Sequence, residues 1–519
     1  MAWRWIALLL VAAGLAGCAA PPLPGAGAAA AWPASRHRIA PDASPLGRLA
    51  ADQGVPPGRS GFRPLLVSQL ALDTRLALIE QASTGLDLQT YLLGDDATGH
   101  EILRALRAAA ARGVRVRLLV DDLYTTGMTD LLLGLAAHPN IELRVYNPFP
   151  AGRDSAWLRL GSLLTDFCRL NRRMHNKLLI ADGRAAIVGG RNLADAYFMR
   201  SGDANFLDFD LLCVGAVAPT LSAHFDTFWN SRFAVPLQAL ADNRLDDAQR
   251  RASFEVLTSV PEAASGRSAP RLPLPPGVHA AMQALGTVPM VVADAEVFFD
   301  SPDKTAGQLR SGNLLPIAGL LDQARERVVI VSPYFLPSEA GLQRMRQAQA
   351  RGVSVQVITN SLRDSDEPLV SLAYGQRRQA LLGAGVRLFE ISSERMRHED
   401  TLRRALGNSI GRLHAKVGFI DDRILLVGSM NLDPRSATTN TELGLAIDSP
   451  ALVRLVLGQF QPTDGRSTYE VRLTADGQRL DWVALDAQGI EQFNPEPAPP
   501  WWQRIKLWLL SRLIPDDLL

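Results

Sequence analysis

Hydrophobic and polar positions run through the same order twice along this 519-residue chain. Short apolar runs rich in Val, Ile and Leu alternate with stretches of helical period, the pattern of strands and helices in turn. In the first series Leu86–Leu93, Val114–Val120 and Ile141–Tyr146 predict strands separated by helical stretches, and Lys177–Ile180, Ala185–Val188 and Asp210–Val214 predict three more. The second series offers Val328–Val331, Val353–Thr359, Val386–Glu390, Val417–Ile420, Ile424–Val427 and Leu443–Ile447. A helical pattern from Glu101 to Arg112 stops at Gly113, and another from Ala340 to Arg351 stops at Gly352, each glycine placed as a helix C-cap. Those glycines are 239 residues apart, and the same step separates Val188-Gly189-Gly190 from Val427-Gly428-Ser429 and Asn192 from Asn431. Landmarks held in one register indicate a duplicated domain. The alternation predicts α/β lobes, each a mixed sheet flanked by helices.

The same pattern divides the chain. Residues 1–18 carry Arg4, an apolar run from Ile6 to Leu15 and then Leu15-Ala16-Gly17-Cys18, which is secretory-signal anatomy. The last four residues resemble a bacterial lipobox, which implies cleavage before Cys18 and acylation of its thiol; an ordinary signal peptide or an uncleaved anchor is the alternative. The apolar run is short for a membrane span. Residues 19–60 are rich in Ala, Pro and Gly and are expected to be a tether. The first lobe is placed at 61–247, a joining linker at 248–311 and the second lobe at 312–465. The extension 466–519 holds Trp501, Trp502, Ile505, Trp508, Leu509 and Leu513 at helical spacing, with Arg504, Lys506 and Arg512 between them. That mixture suits a membrane surface, and packing onto the protein's own body is the alternative.

Composition narrows the class. An apolar fraction of 47% and a charged fraction of 21% are those of a globular protein with a sizeable core. A net charge of +1 gives no bulk drive toward nucleic acid, and three cysteines make no disulfide framework. Cys168 and Cys213 are expected in the core. Lysine usage is more telling. Only four of the 54 basic residues are lysines, and two of them repeat one pattern: His175-Asn176-Lys177 with Asp182, and His414-Ala415-Lys416 with Asp421. Strand alternation puts each His and its Lys on one face. Two such faces brought together surround one anion with two imidazoles and two ammonium groups.

The paired H-x-K-x-x-x-x-D pattern resembles the phospholipase D superfamily. The stretch Gly428–Glu442 (GSMNLDPRSATTNTE) resembles the block that follows the family's second motif. Asn171–Phe198, with TDFCRL just before it, is similar to the cardiolipin synthase C branch of bacterial enzymes. The resemblance runs from about residue 65 to the C-terminus. It implies two lobes with the active site between them, and a phosphatidyltransferase that makes cardiolipin through a phospho-histidine. A neutral imidazole suits attack on a phosphodiester, because it is not repelled by the substrate's negative charge. A second histidine then protonates the leaving alkoxide.

The family's roles carry over to His175 and His414 as the catalytic pair, with Lys177 and Lys416 holding the non-bridging oxygens. His175 is favoured as nucleophile and His414 as general acid, with the reverse order open. Asp182 and Asp421 match the signature aspartates and are counted in the catalytic set, with a turn-fixing role at their strand ends as the alternative. Asn192, Asn431 and Ser429 are assigned to phosphate binding. Glu442 matches the carboxylate that orients a histidine, and Asp210 is assigned as its first-lobe equivalent.

No metal or other cofactor is expected, since the lysines supply positive charge. The expected partners are phospholipids (phosphatidylglycerol, with phosphatidylethanolamine suggested as donor by the resemblance) and a membrane surface on the extracytoplasmic side. A phospholipase D-type hydrolase and a nuclease of the same superfamily are the rival readings. The remaining histidines, His37, His100, His138, His224, His279 and His398, are read as structural. Asp121-Asp122 are expected at a solvated strand end, with the pocket lining as the alternative. Arg169, Arg172 and Arg173 suit either lipid phosphates or a solvated loop.

Overall fold

The computed structural model describes residues 32–150, 152–241, 244–259, 276–308, 314–460, 467–486 and 489–493. The first half contributes strands β1 (Ser60–Leu65), β2 (Gly85–Thr90), β3 (Arg115–Asp121), β4 (Ile141–Tyr146), β5 (Leu178–Ala181), β6 (Ala185–Gly189), β7 (Ala204–Leu207), β8 (Asp210–Gly215) and β9 (Ala234–Pro236). The rest contributes β10 (Val291–Phe299), β11 (Arg327–Val331), β12 (Ser354–Asn360), β13 (Arg387–Ile391), β14 (Ile410–Leu413), β15 (Val417–Ile420), β16 (Ile424–Gly428), β17 (Leu443–Asp448), β18 (Thr468–Leu473), β19 (Leu480–Asp486) and β20 (Gly489–Phe493).

The sheet order shows the duplication. The first lobe runs β9-β4-β3-β2-β5-β6-β8-β1, and the second runs β10-β17-β16-β15-β11-β12-β13-β18-β19-β20. In each lobe three parallel strands (β2, β3, β4; β11, β12, β13) are joined by helical crossovers, and an antiparallel meander (β5, β6, β8; β15, β16, β17) completes the sheet. Antiparallel pairing of β1 with β10 joins the two sheets edge to edge.

Helices cover the sheets because their apolar stripes match: Ala97–Ala111 buries Ile102, Leu103 and Leu106, and Glu339–Ala350 buries Leu342 and Met345. The inner faces of the two sheets meet in one apolar cluster, where Leu178, Val188 and Leu211 of the first lobe pack with Val417, Val427 and Leu445 of the second. Burial of this apolar area fixes the lobes against each other.

Several boundaries differ from the sequence reading. The tether does not extend to residue 60: Pro45–Asp52 is a helix that buries Leu46 and Leu49, and the backbone N–H of His37 donates to Asp226 at 3.0 Å. The joining segment is not a plain linker. It holds helices Asp247–Leu257 and Pro276–Thr287 and the strand β10, which bonds to β1 on one side and β17 on the other. The extension beyond 465 supplies β18 to β20, which widen the second sheet. Cys18, its signal segment and the tryptophan-rich stretch 501–513 lie outside the described residues. No described helix is long and apolar enough to cross a membrane.

Candidate active site

Each motif histidine is placed by a short parallel pairing between the lobes. Strands β7 and β14 pair in parallel, with Arg412 opposite Phe206 and Leu413 opposite Leu207. The next residue on each strand is His414 and Asp208. The backbone N–H of His414 donates to Leu207 O at 2.8 Å, and its Nδ1 lies 2.6 Å from Asp208 Oδ2. The partner site repeats the device: Met174 bridges Thr441 in parallel, and one residue on come His175 and Glu442. The His175 N–H donates to Thr441 O at 3.0 Å, and Nδ1 lies 3.0–3.1 Å from both Glu442 oxygens. A carboxylate of one lobe thus holds the imidazole of the other, twice. With Nδ1–H donating to a carboxylate, Nε2 carries the free lone pair.

Burial sets the charges. His175 is pushed down to about 4, chiefly by desolvation, with Glu442 opposing and Lys177 assisting. His414 is also lowered, by burial and then by Lys416, with Asp208 opposing. Asp208 is held at about 2, because His414, Lys416 and Arg191 outweigh its burial. Glu442 is likewise lowered: its burial is outweighed by His175 and Lys177. The lysines sit beside the imidazoles, and Lys416 Nζ lies 3.3 Å from His414 Nε2. Lys177 Nζ donates to His175 O at 2.7 Å and sits 5.1 Å from the Tyr91 ring centroid; Lys416 Nζ donates to His414 O at 2.6 Å. Burial lowers both, Lys416 to about 8.

The two carboxylates are anchored differently. Glu442 accepts hydroxyl bonds from Ser429 and, at 2.8 Å, from Ser436. Its backbone N–H donates to Asp300 Oδ2 at 3.0 Å, and Lys304 Nζ holds the same oxygen at 2.8 Å in a buried ion pair. Asp208 accepts its neighbour's N–H, from Phe209, at 2.7 Å. Gly190 stands where the second lobe has Ser429, and a Cβ there would meet Asp208 Oδ1 at 2.2 Å, so glycine makes the room.

His175 and His414 open into one pocket of about 140 Å³. Tyr91, Tyr124, Tyr197 and Tyr334 line it, and Tyr91 and Tyr197 stand edge-on to His175 (4.9 Å) and His414 (5.0 Å). Asn192 and Asn431 are in the wall, with Asn192 Oδ1 accepting from Leu92 N at 3.2 Å. The sequence reading missed the tyrosines together with Asp366, Asp433, Arg435 and Asn440 of the same wall. Three of these lie inside the Gly428–Glu442 block already singled out. The tyrosines had no local signal, since each follows a different strand or turn.

Four assignments are corrected. Asp210 does not face a histidine: its carboxylate binds Arg75 at 2.9 Å and Arg191 at 3.0 Å, both buried. Strand register explains the two-residue error. Val188 faces Leu211 and Val427 faces Leu445, so the equivalent of Glu442 is Asp208. Asp208 and Asp210 share a strand face, and alternation cannot separate them. Ser429 turns to Glu442 and does not line the pocket. Asp182 and Asp421 stand at the far end of the motif strands, seven residues from the histidines, and have no place in the reacting cluster. Both adopt left-handed backbone (φ 58° and 53°). Asp182 accepts from the backbone N–H groups of Ser83, Thr84 and Gly85, and Asp421 from those of Arg325, Glu326 and Arg327, tying the starts of β2 and β11.

Asp121 and Asp122 are buried, not solvated. Asp121 holds Arg173 at 3.1 Å, and Asp122 holds Arg153 at 2.9 Å. Arg169 and Arg173 are buried as well and bind within the first lobe. Among the described residues no group of three or more His, Cys, Asp or Glu side chains could hold a metal ion.

Known proteins agree with this architecture. Residues 76–229 and 317–463 match the family described as "Cardiolipin synthase, PLD-like domain". Cardiolipin synthase C of Escherichia coli is 36% identical over 467 residues, covering 89% of this chain and 97% of that protein. A cardiolipin synthase of Staphylococcus aureus is 28% identical, covering 82% of this chain and 71% of that one. The crystal structure of a phosphatidylserine synthase from Haemophilus influenzae superposes with a TM-score of 0.55 at 16% identity, covering 91% of this chain and 99% of that one, which is a likeness of fold. By its family match and its 36% identical relative, the chain belongs to the cardiolipin synthases of the phospholipase D-like family.

Proposed function

We propose that this protein transfers a phosphatidyl group from a phospholipid donor to phosphatidylglycerol, giving cardiolipin. The observation that carries the reading is the double cross-lobe clamp: two buried imidazoles, each fixed at Nδ1 by the other lobe's carboxylate, open into one pocket. His175 is the nucleophile. Its low proton affinity keeps Nε2 unprotonated across the neutral range. Nε2 attacks phosphorus, the bond from phosphorus to the head-group oxygen breaks, and His414, acting in its imidazolium form with Nδ1–H still on Asp208, gives its Nε2 proton to the departing alcohol. In the second half His414 takes the proton of the acceptor's terminal hydroxyl. That oxygen attacks phosphorus, and the bond from phosphorus to His175 breaks. One phosphodiester is exchanged for another, so no nucleotide is consumed. Lys177 and Lys416 supply positive charge as it builds on the phosphoryl oxygens.

The donor is phosphatidylglycerol or phosphatidylethanolamine. The Leu15-Ala16-Gly17-Cys18 sequence supports a lipid anchor at Cys18 on the extracytoplasmic side. Lipid analysis of a cardiolipin-deficient strain expressing the protein tests the proposal. Cardiolipin should appear with the intact chain and not with His175→Ala or His414→Ala. Phosphatidic acid in place of cardiolipin would mean that water is the acceptor and the protein a hydrolase. Equal product from intact and substituted chains would refute the mechanism.

A further inference from the structure

The helix Ala156–Thr165 is inverted relative to an ordinary surface helix. Its buried positions are Arg159 and Ser162, while Trp157 is 82% exposed, Leu158 58% and Leu160 50%. The inversion is anchored by polar contacts. The Arg159 guanidinium donates to the backbone oxygens of Asp122 and Leu123 and, at 3.0 Å, to Thr125 Oγ1, and it lies over the Phe149 ring. The helix is therefore fixed by its polar side to the turn Asp122–Tyr124. Tyr124 on that turn is 45% exposed, meets Tyr91 edge-on at 5.2 Å and lines the catalytic pocket. The chain then passes through the short helix Phe167–Leu170 into His175.

We propose that the outward face of this helix, led by Trp157, Leu158 and Leu160, docks into the interface of a phospholipid bilayer and brings the pocket mouth to head-group level. The inference rests on the phosphatidyl transfer proposed above. A phospholipid's two acyl chains far exceed a pocket of about 140 Å³, so they stay in the bilayer while the phosphodiester enters. The mouth must then lie at the membrane surface, and the helix that carries the exposed apolar face is bonded through Arg159 to the turn whose Tyr124 lines the pocket. Tryptophan favours that interface, and leucine inserts below it. The exposed area of the three side chains is on the order of 400 Å². A stable protein interface takes about 800 Å² from each partner, which argues against a second copy as the occupant. A ten-residue helix is about 15 Å long, which suits lying in the interface rather than crossing it.

The test uses the full chain with Cys18→Ser, Cys168→Ser and Trp157→Cys, labelled at position 157 with an environment-sensitive fluorophore; Cys213 is buried, and without Cys18 no acyl anchor holds the chain to vesicles. Vesicles of phosphatidylglycerol and phosphatidylethanolamine should shift the emission to the blue and protect the label from iodide. In parallel, Trp157→Asp combined with Leu160→Asp should lower turnover of vesicle lipid by roughly ten-fold or more. Turnover of monomeric short-chain phospholipid should be unchanged, which also shows that the variant is folded. An unshifted label together with undiminished vesicle turnover overturns the docking face. So does a label already protected without vesicles, which would mean that the chain's own tail or a second copy covers the helix. If the intact protein turns over neither substrate, the transfer reading fails, and the vesicle-induced shift decides the docking face by itself.

Discussion

Replacing Asp208 by Asn separates the catalytic carboxylate from its neighbour two residues on. The substitution keeps the shape but removes the charge that faces His414 Nδ1 at 2.6 Å. A hydrogen bond to a charged group contributes about 1.5–3 kcal/mol, and this one also fixes the tautomer and strengthens as the imidazolium forms. A loss near the upper end, about 3 kcal/mol in the transition state, corresponds to roughly 150-fold in kcat. The pH profile gives a second readout. Asp208 opposes the burial and the Lys416 charge that lower the pKa of His414. Without it His414 loses its proton at still lower pH, so the alkaline limb of kcat/KM, which reports the general acid, moves to lower pH.

The control is Asp210→Asn. Its carboxylate neutralises buried Arg75 and Arg191, so this variant should lose on the order of 3 kcal/mol of stability, while kcat per folded molecule stays within about three-fold. Steady-state transfer of a fluorescent phosphatidyl group, with folded fraction measured by urea denaturation, checks both. A larger kcat loss for Asp210→Asn than for Asp208→Asn would refute the assignment.

Three further outcomes are expected. His414→Ala should recover phosphatidyl-enzyme formation on a p-nitrophenyl donor, whose leaving group needs no proton, while His175→Ala should not; a stopped-flow burst of p-nitrophenol reads this. Asp182→Ala removes the acceptor of three backbone N–H groups and should destabilise the fold by about 3 kcal/mol with kcat of the folded protein unchanged. Acid should weaken the protein before its surface carboxylates titrate. His175 binds its proton near pH 6.5 when unfolded and at about 4 when folded, so the unfolded state binds more protons in that window and stability falls as pH drops from 6.5 to 4. That contribution is about 3 kcal/mol, and His175→Gln should flatten the fall in a series of urea midpoints.

Much of this was legible in the sequence for identifiable reasons. The strands and the repeat showed themselves because buried parallel strands are short, strongly apolar runs and because glycine C-caps mark the same place in each lobe. The His and Lys pairs were legible because they sit within one strand's reach. The cross-lobe partners were not. Asp208 meets His414 through a parallel register between β7 and β14, a relation between segments 206 residues apart, and strand alternation made Asp210 an equal candidate. The β1–β10 join was hidden because β10 lies in a segment whose Pro, Ala and Gly content looks like linker. The solvated expectation for Asp122 failed because its partners, Arg153 and Arg159, come from a helix and loop whose polar side faces inward.

The most direct test of the central claim is a crystal structure of the protein with vanadate. The account predicts a single five-coordinate vanadium in the pocket, with His175 Nε2 as one apical ligand, His414 Nε2 hydrogen-bonded to the opposite apical oxygen, and both lysines near the equatorial oxygens. Vanadate bound to one histidine with the other turned away, or two ions in separate cavities, would contradict it.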